Sequence, residues 1–180
     1  IKGVLSNTSS SIRKVRVQTS VRDRGGRLVS QVESSVSVKA GEEVAFEQRI
    51  RTITRPHLWS PEEPYLYSVV SRIYDAKTHA LLDEVTNPLG FRWFKFDPEE
   101  GFFLNGKHVK LIGASRHQDF KGMGNALPDS YHYKDVRLLK EMGGNFLRIA
   151  HYPQDPAVLE ACDKLGILAA IEIPLVNTIT

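Results

Sequence analysis

Cysteine is nearly missing from this chain: Cys162 is the only one in 180 residues. A single cysteine excludes an intrachain disulfide and any cysteine-built metal centre, and it does not decide the compartment. Long apolar runs are missing too, with nothing close to the ~20 residues that a membrane-spanning helix needs. No basic segment followed by an apolar stretch opens the chain, as a secretory signal would. The sequence begins inside a strand pattern, so its true N-terminus is expected to lie upstream, and compartment stays undetermined, with periplasm or secretion compatible with polysaccharide chemistry. Charge of one sign is scarce: 24 Lys and Arg face 21 Asp and Glu, spread over the whole length. That dispersion argues against nucleic acid as a partner.

What is present changes character near Asp97-Pro98. Before it, Lys14–Arg22 alternates Val15, Val17, Thr19 and Val21 against charged or polar neighbours, the period of a half-buried strand. The Asp23–Gly26 stretch reads as a tight turn. Leu28–Val38, Val44–Ile53, Tyr65–Tyr74 and Leu81–Val85 supply further strands, with a turn at Ala40–Glu43. Five to seven short strands without a helix predict an immunoglobulin-like β-sandwich over residues 1–97.

After Pro98 the period lengthens. Val109–Ala114 reads as a short strand buried on both faces. Tyr133, Val136, Leu139 and Met142 recur along a helix expected over 130–142, ended by Gly143-Gly144. Asn145–Ala150 is the next buried strand. Asp155-Pro156 gives an N-cap and a proline at the first helical position. Val158, Leu159, Cys162 and Leu165 form that helix's apolar face, and Gly166 stops it before a third strand, Ile167–Ile173. The order β-α-β-α-β over 98–180 predicts the first part of a TIM (β/α)8 barrel, since eight strands are needed for closure. A flavodoxin-like open sheet fits the same order but would be expected to carry a glycine-rich phosphate loop, and none is present.

In such barrels, the C-terminal ends of the strands line the active site. The first strand is followed by Ser115, Arg116, His117, Gln118 and Asp119. The second ends in Arg148, His151 and Tyr152, and the third carries Glu172. Ionisable groups gathered at adjacent strand ends are costly to bury without a role. Arg148 could hold a carboxylate by a bidentate bond and keep it ionised, or simply pair with Glu172; the two roles are compatible. His117 and His151 suit sugar hydroxyls or proton transfer near neutral pH. Asp119 could orient His117 or bind a hydroxyl. Two histidines and an acid could also ligate a metal, but their spacing matches no local metal motif.

At these residues the chain resembles glycoside hydrolase family 2. Asn145-Phe-Leu-Arg-Ile-Ala-His-Tyr-Pro153, followed by Cys162-Asp163, Gly166 and an apolar strand ending in Glu172, is similar to the family's strand-two and strand-three block, with Ala150 where serine is common. Gly101–Lys107 resembles the family's entry to the barrel. Gly113–Asp119 resembles its Gly-Val-Asn-Arg-His-Glu segment, with Ser115 and Gln118 in place of the usual Asn and Glu. His57–Tyr67 and Gly90-Phe91-Arg92 are similar to stretches that the family carries in its sandwich.

The resemblance implies retaining hydrolysis of β-glycosides by two glutamates about 5–5.5 Å apart. The acid/base would end barrel strand four and the nucleophile strand seven, both beyond Thr180, so this stretch alone is expected to be inactive. Arg148 would fix the nucleophile, His117 and His151 would bind sugar hydroxyls, and Glu172 would support Arg148. No cofactor is implied for this stretch, and Mg2+ is left open for the longer enzyme, as is a homo-oligomer. The family's β-mannosidases typically carry Trp-Gly where this chain has Ala150–Pro153. Arg116-His117 and Gly122–Leu127 look more like β-galactosidases than β-glucuronidases, so a β-galactoside is the expected substrate and a β-glucuronide the alternative. A different class of reading, a non-catalytic carbohydrate-binding sandwich, leaves the parallel strands without a purpose.

Overall fold

The computed structural model describes residues 1–175. Its contacts divide the chain into two compact units: residues 1–56 with 66–89, and residues 57–65 with those from Gly90 onward. By this division the strands from Phe94 onward, ahead of Asp97-Pro98, pack with the second unit. Residues 57–65, which lie among the sandwich strands in sequence, pack with the second unit.

The first unit is all strand: β1 (Lys2–Ser6), β2 (Arg13–Arg22), β3 (Leu28–Val38), β4 (Glu43–Glu47), β5 (Tyr67–Asp75) and β6 (Leu81–Leu89). One sheet has the order β3-β2-β5-β6 and the other pairs β1 with β4, with every pair antiparallel. The face read from the sequence is the core: Val15, Val17, Thr19 and Val21 are all at most 5% exposed. Ser20, on the opposite face of β2, is buried too, and its hydroxyl reaches the Val70 carbonyl. Thr19 Oγ1 meets Ser71 Oγ at 3.0 Å, so the one polar group on the buried face is satisfied. The expected strand Val44–Ile53 stops at Glu47, where Gln48 turns inward and donates to Val17 O and Ser34 Oγ. β6 is longer than expected and runs through Pro88, which an edge strand tolerates.

The second unit opens with a three-stranded antiparallel sheet of β7 (Phe94–Asp97), β8 (Gly101–Leu104) and β9 (Lys107–His108). Then come β10 (Gly113–Arg116), α1 (Asp129–Glu141), β11 (Phe146–Ile149), α2 (Pro156–Leu165) and β12 (Leu168–Ile171). The strands β10, β11 and β12 pair in parallel in that order. The predicted β-α-β-α-β run is present, with two corrections. Val109 belongs to the hairpin, its N–H bonded to Phe102 O, so the first parallel strand starts later than Val109. The strands are also not buried on both faces: α1 and α2 cover one side, and Gly113, Ala114, Ser115, Ala170 and Ile171 are exposed.

The covered side is a core of Val136, Leu139, Leu147, Ile149, Val158, Ala161, Cys162 and Ile167. On α1 the buried residues are His132, Val136 and Leu139, whereas Tyr133 and Met142 are exposed. A strict three-residue spacing drifts about 60° backward per step on a helix of 3.6 residues per turn, so the ends of such a series leave the core face. For α2 the expected caps are in place: the Asp155 carboxylate accepts from Ala157 N, and Gly166 closes the helix at φ 75°. Burial pushes the Cys162 thiol up to about 12, which leaves it a protonated core group.

Residues 57–65 lock onto this unit through Trp59, which is 1% exposed. Its indole N–H donates to Asp163 O, its carbonyl accepts from Asn105 Nδ2, and Arg92 stacks over its ring. Lys140 Nζ ties Pro61 O to Gly166 O. Asn145 performs the same kind of service at the strand entry. Its side chain accepts from Ile112 N and donates to Lys110 O, aligning β10 beside β11.

Gly113 has no room for a side chain, because a Cβ there would stand 1.6 Å from Phe146 O. Gly113→Ala is therefore expected to destabilise the protein by about 2 kcal/mol or more. The control Gly25→Ala, whose methyl would meet only the Asp23 carboxylate at 3.4 Å, should stay within about 0.5 kcal/mol. Denaturant midpoints of the two variants read this difference.

Candidate active-site face at the strand ends

The parallel register sets Ser115 beside Arg148 and Arg148 beside Ala170. Neighbours in one row of a sheet share a face, and alternation puts Leu147 and Ile149 toward the helices and Arg148 away from them. Arg148 thus rises from the uncovered face of β11, with its side chain 44% exposed. Glu172 directly follows β12, and His151 stands two residues past β11.

These three side chains form one cluster. Arg148 Nε donates to Glu172 Oε1, and His151 Nδ1 lies 2.9 Å from Glu172 Oε2. Arg148 also reaches Ser115 Oγ at 3.3 Å through NH1 and His151 Nδ1 at 3.3 Å through NH2. A carboxylate only accepts, so the short contact requires the proton on His151 Nδ1; the longer guanidinium contact is then proximity without donation. In the neutral ring Nε2 is left as an acceptor. The ring of His117 meets that of His151 edge-on, with centroids 5.1 Å apart.

Of the residues singled out in the sequence, Arg148, His151, Glu172 and His117 come together. Asp119 does not join them: it is exposed on the connection after β10 and, among the described residues, makes no hydrogen bond or ion pair. Ser115, where the resemblance implies Asn, still supplies an oxygen to Arg148. Gln118, where Glu is usual, accepts from Asp155 N at 2.7 Å and donates to Asn125 O at 3.4 Å. A glutamate could make only the first of these bonds.

Arg116 faces the other way. It is 9% exposed and donates to Asp135 Oδ2, to Gln154 Oε1 and toward His132 Nδ1. The roles of Asp135, His132 and Gln154 were not read from the sequence. Strand alternation carried the signal, because Ser115 and His117 share a face and Arg116 must oppose them. Among the described residues no group of three or more His, Cys, Asp or Glu could hold a metal ion, and no helix is long and apolar enough to cross a membrane.

One family matches along nearly the whole chain. Residues 1–92 match the family model described as glycosyl hydrolases family 2, and residues 98–179 match the model of that family's TIM barrel domain. The chain belongs to glycosyl hydrolases family 2. A crystal structure of a β-glucuronidase from Bacteroides uniformis superposes with a TM-score of 0.93 at 45% identity, over 97% of this chain and 21% of that one. A protein named β-glucuronidase from Bacteroides fragilis is 42% identical over 85% of this chain and 22% of its own length. A β-galactosidase from Bacteroides ovatus is 36% identical over 93% of this chain and 19% of its own length. This chain therefore spans about a fifth of the length of such relatives.

The Glu172 carboxyl is held below the ordinary glutamate value of 4.5, first by its bond to His151 and then by Arg148. A depressed folded value means that the ionised group adds stability above the unfolded value, and that this is lost as pH falls through the folded one. The stability difference between wild type and Glu172→Gln is accordingly expected to hold above pH 4.5 and to shrink below it. Melting temperatures of both proteins across that range check the sign. A difference independent of pH would separate the carboxylate from the cluster.

Proposed function

We propose that this chain forms one side of the active site of a retaining β-glycosidase, whose two catalytic glutamates come from barrel strands that follow it. The observation carrying this reading is the cluster of Arg148, His151, Glu172 and His117 on the uncovered face, at the strand ends where barrel enzymes place their chemistry. Glu172 takes up Arg148 Nε and leaves NH1 and NH2 with contacts no shorter than 3.3 Å. That edge suits a second carboxylate, which a bidentate guanidinium would keep ionised and therefore nucleophilic. His151, oriented through Nδ1 by Glu172, offers Nε2 to a sugar hydroxyl, and His117 lies against it. Hydrogen bonds of this kind contribute to rate where they strengthen as the oxocarbenium-like transition state forms.

Within the family, a terminal β-galactoside and a terminal β-glucuronide both have support. The galactoside reading rests on Arg116-His117 and the Gly122–Leu127 stretch. Its first element is weakened, because Arg116 is engaged with Asp135, Gln154 and His132 and faces away from the cluster. The glucuronide reading draws on relatives bearing that name at 42–45% identity. The sugars differ at C6, where one carries a hydroxymethyl and the other a carboxylate, and at C4, where the hydroxyl is axial in the galactoside and equatorial in the glucuronide. Comparing kcat/KM for nitrophenyl β-galactoside and nitrophenyl β-glucuronide in the full-length protein decides between them. On the hydrolysed substrate, Arg148→Ala is expected to lower turnover about a hundredfold or more. Unchanged turnover would remove Arg148 from the site.

A further inference from the structure

Gln154 touches none of the four clustered side chains, yet it bridges the two segments that carry the histidines. Its Nε2 donates to Arg116 O at 2.6 Å and to Ala150 O at 3.1 Å, and its Oε1 accepts from Arg116 NH1 at 2.6 Å. Arg116 directly precedes His117, and Ala150 directly precedes His151. The Arg116 guanidinium is itself fixed on α1 by Asp135 Oδ2 at 2.9 Å and His132 Nδ1 at 3.0 Å, with His132 fully buried. Ala150 N donates to the same Arg116 carbonyl at 3.2 Å.

The bonding pattern requires an amide. One end must accept from a cation while the other donates to two carbonyl oxygens, and among side chains of this length only glutamine does both. A glutamate would keep the guanidinium and set a negative oxygen against two carbonyls. A leucine would fill similar space and make none of the bonds, leaving two buried or half-buried partners unsatisfied.

We propose that Gln154, together with Arg116, is a positioning residue that sets His117 and His151 at their spacing of 5.1 Å between ring centroids. The catalytic consequence rests on reading those histidines as sugar-binding; the geometric one does not. A misplacement of about 1 Å is enough to cost up to a hundredfold in rate when a group must meet substrate in a defined pose.

The test uses the full-length protein carrying Gln154→Leu, Gln154→Glu, His151→Ala, or Gln154→Leu with His151→Ala. Crystal structures are expected to show the His117 and His151 rings displaced relative to each other by about 1 Å or more in Gln154→Leu, with the core between α1 and α2 unmoved. Superimposable histidines overturn the inference whatever the activity. On the glycoside that the wild type hydrolyses, Gln154→Leu is expected to reduce kcat/KM about tenfold or more, and that loss should shrink in the His151→Ala background, where only His117 is left to misplace. An equal loss in both backgrounds means that Gln154 acts only on general stability, and it overturns the role. Should Gln154→Leu fail to fold, Gln154→Glu, which retains the guanidinium bond, carries the same two readouts. A wild type that hydrolyses neither glycoside, with histidines separated in the variant, removes both substrate readings and leaves the positioning role standing.

Discussion

Ser115, Arg148 and Ala170 stand side by side because β10, β11 and β12 pair in parallel without a register shift. A slip of one residue would turn Arg148 toward the helices and bring Leu147 and Ile149 out of the core. Small groups guard that alignment. Gly113 lets β10 approach the Phe146 carbonyl, and the Asn145 amide binds the backbone on either side of the strand entry. The cluster at the strand ends therefore inherits its geometry from backbone pairing, with side-chain hydrogen bonds refining it.

Two arginines on adjacent strands show how position decides role. Arg148 is paired with one carboxylate at a half-open surface, where its charge is partly solvated and part of its donor edge remains lightly engaged. Arg116 is nearly enclosed, and all three of its nitrogens have partners within 3.0 Å. An enclosed guanidinium is tolerated only when its donors are met, because the alternative is an uncompensated buried charge. The first arrangement suits recognition of an incoming anion, and the second suits holding loops in place.

Much of this architecture was legible in the residue pattern. Alternation in Lys14–Arg22 marked the sandwich core, and Asp155-Pro156 with Gly166 bounded α2 to the residue. The grouping of Arg148, His151, Glu172 and His117 followed from strand order and the convention that chemistry lies at strand ends. Other features depend on partners distant in sequence. Gln154 and Asp135 look like ordinary surface polar residues until Arg116 is seen between them. Burial of the strands was read from apolar composition, which cannot tell one covered face from two. Asp119 was grouped by its nearness to His117 in sequence, and it is exposed and makes no hydrogen bond to the others.

The Trp59 anchor has a consequence for how the protein is made. Its indole bonds a carbonyl 104 residues further along the chain. At the usual ribosomal pace of roughly 5–20 residues per second, that partner emerges some 5–20 s after the tryptophan. During that interval the strands from β1 to β6 can pair among themselves, since the last of them, β6, ends at Leu89, well before Asp163. Residues 57–65 cannot finish docking in that time: their partners in the second unit run from Phe91 and Arg92 to Asp163, the last of them far along the chain. Long-range closures of this kind form late and slowly. Docking of residues 57–65 is thus expected to follow the pairing of β1–β6.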